Sequence, residues 1–527
     1  MTTGFDGEPT PEPDARPARS GRRAGQGLTQ RAIGGMVWTF SGTGLQAVVQ
    51  LLVLMALGRL LTPAEFGIMG AATVIVALSQ IVSQIGVGPA IIQRRDLSPV
   101  HIRVAVTLSF TLGLVLGALV YFGAPVLARF YRIPEVEPVL RGVAFLFPLD
   151  GLNTVSKSLL TRDLRFRLYV ALDVGSYLIG YAMVGVALAW YGAGVWSLVI
   201  ASLAQVTLRT ISMYLGARHS LRPSFDFAAS KDLLSYGFGH SIGQLGTVVS
   251  QQGDNFVVGR WLGAEALGVY GRAYNLLVMP ATAFGRIVNR VLFPLMAQVQ
   301  DERDRLKNAY ERGLAIVALI SLPISTFLWV LAPELINVVL GPKWGGVVLP
   351  FRLFSISLLF RMSSRISDAC TKAAGEVYMR AWLQWAYAAF VILGAIVGQR
   401  WGVGGVAVCV SLAMAFNWLS MAWLGRSITG LTWDRFIRSQ VPAALLSILV
   451  GVAAALAAHG ARAAHLGSVA TLALAALAAA ASALVAARLK PNVWLGSHGA
   501  WAFARAEELV RRRSGRLALA TGKADLK

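Results

Sequence analysis

The chain has 527 residues, of which 56% are hydrophobic and only 14% are charged. A soluble domain normally carries about 25% charged residues, so this composition excludes an ordinary soluble protein. The formal net charge of +22 does not call for nucleic acid as a partner, because the basic residues concentrate in short loops between apolar runs, as the positive-inside rule requires of a membrane protein.

Residues 1–31 are polar and rich in Pro, Gly and Arg, which predicts a disordered tail rather than a signal peptide. Uncharged runs follow at 32–58, 66–93 and 104–128, and each is long enough for a membrane helix of about 20 residues. The strands of a transmembrane β-barrel would instead alternate over segments of about ten residues. Fourteen membrane helices are predicted, at residues 34–57, 66–90, 104–128, 142–160, 168–190, 193–216, 236–258, 266–290, 313–338, 348–370, 381–399, 402–424, 441–458 and 466–487.

The loop charges predict the orientation of these helices. Nineteen basic residues lie in and beside the loops on the side of the N-terminus, against eight on the other side, and both tails are basic as well. This distribution predicts that both termini are cytoplasmic. The predicted domains are a disordered cytoplasmic tail (1–31), an N-lobe of six helices (32–216), a C-lobe of six helices (217–430), two additional helices (431–488) and a basic cytoplasmic tail (489–527).

The C-terminal tail carries Trp494, Trp501 and Phe503 beside its arginines. Two interpretations remain open: an amphipathic helix that lies on the anionic inner leaflet, or a solvated tail that satisfies the charge rule.

A short pattern occurs twice, at a constant offset of 201 residues. "GRLLTPAEFGIMGAA" (58–72) and "GRWLGAEALGVYGRA" (259–273) are identical at six of fifteen positions without a gap. The copies follow predicted helices 1 and 7, so an even number of helices separates them and both have the same orientation. This predicts a parallel repeat of the kind that transporters use. The alternative is a coincidental match between two glycine-rich turns.

The shared residues of the repeat have structural roles in this interpretation. Glycines spaced by three, Gly67 with Gly70 and Gly268 with Gly271, offer a small face for close helix packing. The repeated arginines, Arg59 and Arg260, are predicted to reach the outer headgroups.

One of the positions at which the copies differ is more informative than the shared ones. The second copy has Arg272 where the first has Ala71, one to two turns inside the membrane. Ionisable residues at membrane depth are costly and mark function by default. The others are Asp150, Asp173, Asp254, Arg286, Arg290, Arg361, Arg365 and Asp368. Of these, Arg361, Arg365 and Asp368 share one helix face.

Each of these charges also has a structural interpretation. Arg286, Arg290 and Arg365 would serve only the topology if they lie at the inner interface, and Asp254 would form a buried ion pair with Arg272. Asp150 and Asp173 would pair with basic residues of the loop at 157–167. Alternatively, the aspartates bind a coupling proton or sodium ion.

Several segments resemble the polysaccharide transporter family, which includes O-antigen and exopolysaccharide flippases. They are "DNFVVGRWLGAEALGVYGRAYNL" (254–276), "FPLMAQVQDERDRLKNAYERG" (293–313), "SQIGVGPAIIQ" (83–93) and "LLTRDLRFR" (159–167), together with the first repeat. The resemblance covers about residues 30–430. It implies the fold of the multidrug/oligosaccharidyl-lipid/polysaccharide exporter (MOP) superfamily: an all-α polytopic membrane protein with two parallel six-helix lobes around a central cavity, plus two C-terminal helices, similar to the multidrug (MATE) transporters.

The resemblance implies a bacterial inner-membrane flippase that moves undecaprenyl-diphosphate-linked oligosaccharides by alternating access. A diphosphate needs fixed cations, and arginine binds phosphate oxygens with two parallel hydrogen bonds. The candidates for this role are Arg272, Arg361 and Arg365. Candidates for the sugar are Gln50, Gln251, Asn255 and Tyr274, and Asp150, Asp173, Asp254 and Asp368 are candidates for ion coupling or ion pairs. The implied partners are the lipid-linked oligosaccharide, membrane lipids and the polysaccharide polymerase or export machinery.

Other functions find less support. The sequence has neither GxxxxGK[ST] nor HExxH, and Cys370 and Cys409 lie in different apolar runs, so we expect no enzyme activity, cofactor or metal. A multidrug extruder of the same superfamily would favour acidic residues in its cavity. A lipid II flippase has the same helix count and the same need for cations, and it remains an alternative.

Overall fold

A computed structural model describes residues 44–84, 87–94, 96–288, 292–501, 503–505 and 508, and the regular structure in this part of the chain is helical. The tail predicted at 1–31 lies outside it. The first helices are α1 (Gly44–Leu60), α2 (Pro63–Gln84), α3 (Val87–Gln93), α4 (Pro99–Tyr131), α5 (Val136–Val143), α6 (Leu146–Arg162), α7 (Phe166–Tyr177), α8 (Val186–Trp190) and α9 (Val195–Ala217). A π-helix (Leu178–Gly185) joins α7 to α8.

The second part of the chain continues with α10 (Phe227–Ile287), α11 (Phe293–Gln298), α12 (Arg303–Val330), α13 (Ala332–Val339), α14 (Val348–Ile356), α15 (Leu358–Ala373), α16 (Val377–Gly398) and α17 (Gly402–Thr429). It ends with α18 (Trp433–Arg438), α19 (Val441–Ala463), α20 (Ser468–Leu489) and α21 (Pro491–Trp494).

Helix α10 is two helices joined at a glycine. Gly263 has φ +87° and ψ −176°, a conformation that only glycine adopts readily, so the helical path breaks there. We call the two arms α10a (227–262) and α10b (264–287). They correspond to predicted helices 7 and 8. The structure therefore reduces the predicted connection between residues 258 and 266 to a single non-helical residue.

Seven helices of the described chain are long and apolar enough to cross a membrane. An eighth arises if Pro342–Ile356 and Leu358–Ala373, bent by 41° at their junction, form one span. One of the seven, Tyr378–Thr429, contains both α16 and α17. A helix lies at least partly at each of the fourteen predicted positions. The chain is thus a multi-pass membrane protein, and the count of fourteen crossings stays a prediction.

The two copies of the repeat lie together at one end of the bundle, which we call the repeat face. Here α2 of the N-lobe crosses α10b of the C-lobe. A Cβ atom on Gly67 would lie 1.7 Å from the carbonyl oxygen of Ala264, and one on Gly268 would lie 1.8 Å from that of Pro63. Pro63 and Ala264 are themselves related by the offset of 201, so the contact is symmetric. Two parallel lobes related by an axis along the membrane normal produce this arrangement.

Aromatic and polar contacts between the lobes also close the repeat face. The indole nitrogen of Trp344 donates a 2.7 Å hydrogen bond to the carbonyl oxygen of Gly58, and its ring meets Phe66 edge-on with centroids 5.4 Å apart. Trp344 is fully buried, so this hydrogen bond satisfies a donor that has no access to solvent.

The repeated arginines contact the opposite lobe. Arg59 of the N-lobe donates from Nη2 to the carbonyl oxygen of Val338 at 3.1 Å. Arg260 of the C-lobe lies 5.2 Å above the ring of Phe130 in α4. Both arginines therefore link the two lobes at the repeat face, a role that the sequence did not indicate. Their contact with headgroups stays a prediction.

The two additional helices, α19 and α20, pack on the C-lobe. The Ser447 hydroxyl of α19 donates to the carbonyl oxygen of Leu322 at 3.0 Å, and Arg462 forms a 2.7 Å ion pair with Glu334. Beyond them the chain is largely helical from Pro491, and Trp501 lies beneath the guanidinium of Arg312 at 5.5 Å. The start of the C-terminal tail thus docks beside α12, and its contact with lipid stays a prediction.

Candidate functional site

A cavity with three connected chambers lies between the lobes. The central chamber has a volume of about 250 Å³ and is lined by Phe66 and Thr73 from α2 and by Gln251 and Arg272 from α10. A chamber of about 460 Å³ extends from it into the N-lobe, and one of about 100 Å³ extends into the C-lobe. Neighbouring chambers share lining residues, so the three chambers adjoin one another. This is the location that the parallel repeat predicts for a substrate site.

Arg272 lines both the central and the N-lobe chambers. Its guanidinium lies 4.5 Å from the ring centroid of Phe66, a cation–π contact across the lobes. Its Nε atom is buried without a hydrogen-bond partner among the described residues. A desolvated cation with an unused donor is costly unless an anion neutralises it. Arg272 therefore has the properties of an anion ligand.

Arg361 and Arg365 lie one turn apart on α15 and line the central and C-lobe chambers. Arg361 donates from Nη1 to the Tyr274 hydroxyl at 2.9 Å, and its guanidinium lies 4.9 Å from the centre of that ring. The side chain of Arg365 passes over Gly285, where a Cβ atom would lie 3.6 Å from Nε. The three arginines predicted for the diphosphate thus line one chamber.

Arg365 lies in the cavity wall, and its topological role at the inner interface stays a prediction. The same role was predicted for Arg286 and Arg290. The side chain of Arg286 and all of Arg290 lie outside the described residues.

The charge of the cavity is one-sided. Among the described residues, the linings of the central and N-lobe chambers contain no Asp or Glu. The C-lobe chamber contains Asp368, but its carboxylate is bound by Lys372 at 2.7 Å and by Arg380. Asp368 therefore does not neutralise the three arginines, and the cavity is suited to an anion.

The predicted pairing of Asp254 with Arg272 is wrong. The Asp254 carboxylate accepts a 2.7 Å hydrogen bond from the Tyr270 hydroxyl and another, at 2.8 Å, from the backbone N–H of Asn255. Arg272, two residues beyond Tyr270 and therefore on a different face of α10b, lies over Phe66 instead. Asp254 is buried, 1% exposed, and its hydrogen bonds hold α10a against α10b.

The predicted pairing of Asp150 and Asp173 with the loop at 157–167 is also wrong. Both carboxylates meet Arg209 of α9, with Nη2 to Oδ1 of Asp150 at 2.7 Å and Nη1 to Oδ1 of Asp173 at 3.8 Å. The Gln46 amide donates to the other oxygen of Asp173 at 3.2 Å. We call these four residues the N-lobe cluster. Arg209 is the only charge between residues 195 and 217, and that isolation was the signal in the sequence.

The four sugar candidates separate into two pairs. Gln251 lines the central and C-lobe chambers, and Gln50 lines the N-lobe chamber. The Asn255 amide already donates to Gln252 at 3.1 Å, and the Tyr274 hydroxyl is used by Arg361. Both nevertheless line the central chamber. The described contact of Tyr274 is therefore one that orients the Arg361 guanidinium.

The sequence analysis missed other polar residues of the cavity wall. The described lining also contains Tyr177, Tyr181, Gln205 and Asn275 in the N-lobe chamber and Gln384, Tyr387 and Asn417 in the C-lobe chamber. These residues are uncharged, so charge at membrane depth gave no signal for them. Polar side chains repeated at helical spacing within apolar runs are the remaining signal.

The chain is similar in sequence to known proteins of polysaccharide biosynthesis. A family model described as polysaccharide biosynthesis protein matches residues 56–349. The chain is 25% identical over 432 residues to the teichuronic acid biosynthesis protein TuaB of Bacillus subtilis, which covers 81% of this chain and 89% of that protein. It is 24% identical over 441 residues to the lipopolysaccharide biosynthesis protein WzxC of Escherichia coli, covering 81% and 88%. It is 27% identical over 421 residues to the succinoglycan biosynthesis transport protein ExoT of Rhizobium meliloti, covering 78% and 81%.

Solved structures share the fold. The lipid II flippase MurJ in an inward closed conformation superposes with a TM-score of 0.71 at 13% identity, over 85% of this chain and 99% of that one. An inward-facing multidrug resistance MATE transporter superposes with a TM-score of 0.59 at 17% identity, over 73% and 95%. The chain therefore shares the fold of these two structures, as the family resemblance implied.

Proposed function

The chain belongs to the polysaccharide biosynthesis protein family, and from that premise we propose that it is a flippase for undecaprenyl-diphosphate-linked oligosaccharides. It moves these units from the cytoplasmic to the periplasmic leaflet of the bacterial inner membrane, for lipopolysaccharide or exopolysaccharide synthesis. It is a transporter and not an enzyme. Three relatives named for the biosynthesis of teichuronic acid, lipopolysaccharide and succinoglycan support this proposal.

One observation carries the proposal: Arg272, Arg361 and Arg365 line a chamber between the lobes whose described lining has no acidic residue. The diphosphate of the substrate carries the charge that is most costly to move through hydrocarbon. Arginine stays charged and binds phosphate oxygens through its planar fork, so three arginines at one place lower that cost. Arg272 is the primary ligand because its Nε donor is unused. Tyr274 holds Arg361 in place.

The orientation belongs to the same proposal. The basic loops favour cytoplasmic termini, which makes the repeat face periplasmic. The contacts of Trp344 with Gly58 and of Gly67 with Gly268 then close the cavity toward the periplasm. In alternating access, substrate enters from the cytoplasmic leaflet, and these contacts separate when it is released. The polysaccharide polymerase and export machinery then act on the released unit.

The N-lobe cluster is the candidate for ion coupling. Two carboxylates, Asp150 and Asp173, meet at Arg209, and all three side chains are about one-fifth exposed. A proton or sodium ion that binds to one of these carboxylates would change the charge of the cluster. Asp254 and Asp368 are less suited to this role, because hydrogen bonds from Tyr270 and ion pairs with Lys372 and Arg380 already satisfy them.

The cavity does not suit a cation extruder, because the arginines that line its central chamber would repel a cationic substrate. A lipid II flippase shares the need for cations and differs in the glycan that it carries. We therefore propose a direct comparison: purified protein in liposomes supplied with a polyprenyl-diphosphate-linked oligosaccharide, with lipid II, or with a cationic dye under an ion gradient. The account predicts transfer of the first. Transport of the dye alone would overturn it, and transfer of lipid II alone would favour the peptidoglycan precursor.

A further inference from the structure

The N-lobe chamber contains a stacked pair of tyrosines that no role yet explains. The rings of Tyr177 and Tyr181 have centroids 5.1 Å apart and planes inclined by 19°. Both line the chamber, and both are half-buried. Arg272 lines the same chamber. The pair therefore lies beside the proposed diphosphate ligand, on the N-lobe side.

The backbone that carries this pair is unusual. Tyr177 ends α7, and Tyr181 lies in the π-helix Leu178–Gly185. Such segments are rare and occur frequently at functional sites. The π-helix therefore points to this stretch as a functional one, and both tyrosines of the pair reach the cavity.

A close helix contact fixes a polar residue beside the tyrosines. A Cβ atom on Gly180 would lie 2.6 Å from Cβ and 2.7 Å from the backbone nitrogen of Gln205, so α9 approaches the π-helix as closely as a glycine allows. Gln205 lines the same chamber, as do Gln50 and Asn275. The chamber thus combines two aromatic rings with three side-chain amides.

This combination matches the chemistry of a pyranose. A sugar ring presents an apolar C–H face, which packs on aromatic rings, and hydroxyl groups at its edge, which bond to amides that both donate and accept. The volume of about 460 Å³ lies within the range of about 300–1,000 Å³ found for ligand pockets. The apolar Val53, Leu54 and Leu57 of α1 also line this chamber.

We propose that Tyr177 and Tyr181 form a platform for the sugar next to the diphosphate, with Gln205, Gln50 and Asn275 bonding its hydroxyl groups. This inference rests on the proposed function and deepens it. It moves the main sugar contact from the residues predicted on α10 to the N-lobe. It also implies that the glycan lies on the N-lobe side of Arg272 while the diphosphate lies between the lobes.

The test measures the binding of two lipids to the full-length protein in nanodiscs. One is undecaprenyl diphosphate, and the other is the same lipid carrying one hexose, prepared separately with glucose and with galactose. The wild type is expected to bind the sugar-bearing lipid about tenfold more tightly than the sugar-free lipid. Leucine at both positions (Tyr177→Leu with Tyr181→Leu) should remove this preference. Phenylalanine at both should keep most of it, because the rings remain.

Three further variants show whether a change in this preference comes from the amide, from an unspecific effect of substitution or from the diphosphate ligand. Gln205→Ala removes an amide but keeps the Cβ atom that contacts Gly180, so it reduces the preference without disturbing the helix contact. Tyr191→Leu is the matched control, since Tyr191 lies just beyond α8, is 85% exposed and does not line the cavity. Arg272→Ala should weaken the binding of both lipids to a similar extent.

Each result decides the inference. A wild type that binds undecaprenyl diphosphate without preferring the hexose form overturns the platform and leaves the proposed function intact. A preference that survives in the double leucine variant also overturns it. A wild type that binds neither lipid overturns the proposed function and the platform together.

Discussion

Gly67 and Gly268, which the repeat places 201 residues apart, contact each other backbone to backbone where α2 crosses α10b. A Cβ atom on Gly67 would lie 2.9 Å from the backbone nitrogen of Gly268, and one on Gly268 would lie 3.1 Å from that of Gly67. The same motif thus forms both sides of one contact. This explains why the sequence contains it twice: each lobe supplies half of the closure at the repeat face.

Alanine at either glycine should therefore separate the lobes at the repeat face. Gly67→Ala would place its methyl group 1.7 Å from the Ala264 oxygen, so the backbone has to move. We expect a loss of about 1–3 kcal/mol or more in stability, measured by thermal unfolding of the purified protein. Gly70→Ala is the matched control on the same helix, because its nearest contact would be an ordinary 3.5 Å. Equal stability of the two variants would contradict the packing described here.

Trp344 should contribute to the same closure through its hydrogen bond. Trp344→Phe keeps a ring against Phe66 but leaves the Gly58 carbonyl without its indole donor. The expected cost is about 1–3 kcal/mol, again by thermal unfolding. Trp401→Phe should change little, since Trp401 is 68% exposed. The interpretation fails if both substitutions have the same effect.

The N-lobe cluster predicts that substitutions of Arg209 and Asp150 have non-additive effects on the stability of the protein. Arg209→Ala removes the cation that Asp150 and Asp173 share, which destabilises more than the loss of one contact. Adding Asp150→Asn removes one of the two charges and should recover part of the stability. A double-mutant cycle, read from the midpoint of thermal unfolding, measures this coupling. Additive effects would show that Arg209 does not hold the two carboxylates.

The coupling role of that cluster has a separate test. If Asp150 binds the coupling ion, Asp150→Asn should still bind the lipid diphosphate but should no longer respond to a proton or sodium gradient in liposomes. A transfer rate that still increases with the gradient, as in the wild type, would exclude Asp150 from this role. Asp368→Asn serves as comparison, because Lys372 and Arg380 already hold that carboxylate.

The sequence predicted most of the fold and the cationic part of the cavity. Apolar runs gave the helices, and the constant offset gave the two lobes. Arg272 was identified because it breaks the repeat, and Arg361 and Arg365 because helical spacing puts them on one face. These signals are local or periodic, so they can be read along one chain.

What the sequence did not predict depends on contacts between distant segments. Arg209 and Asp150 are 59 residues apart, and no local pattern indicates which arginine meets which aspartate. The hydrogen bond from Tyr270 to Asp254 was not among the predicted alternatives for the same reason. The π-helix that carries Tyr181 packs closely against Gln205, and amphipathic periodicity does not distinguish it from an ordinary α-helix.

The central claim is that Arg272 binds the lipid diphosphate, and one measurement tests it most directly. Transfer of a polyprenyl-diphosphate-linked oligosaccharide is followed in liposomes that contain equal amounts of wild type, Arg272→Ala, Arg272→Lys or Arg400→Ala. Arg400 lies exposed between α16 and α17, outside the cavity lining, and serves as the matched control. The account predicts background transfer by the alanine variant, partial transfer by the lysine variant and full transfer by the control. Wild-type transfer by Arg272→Ala would contradict it.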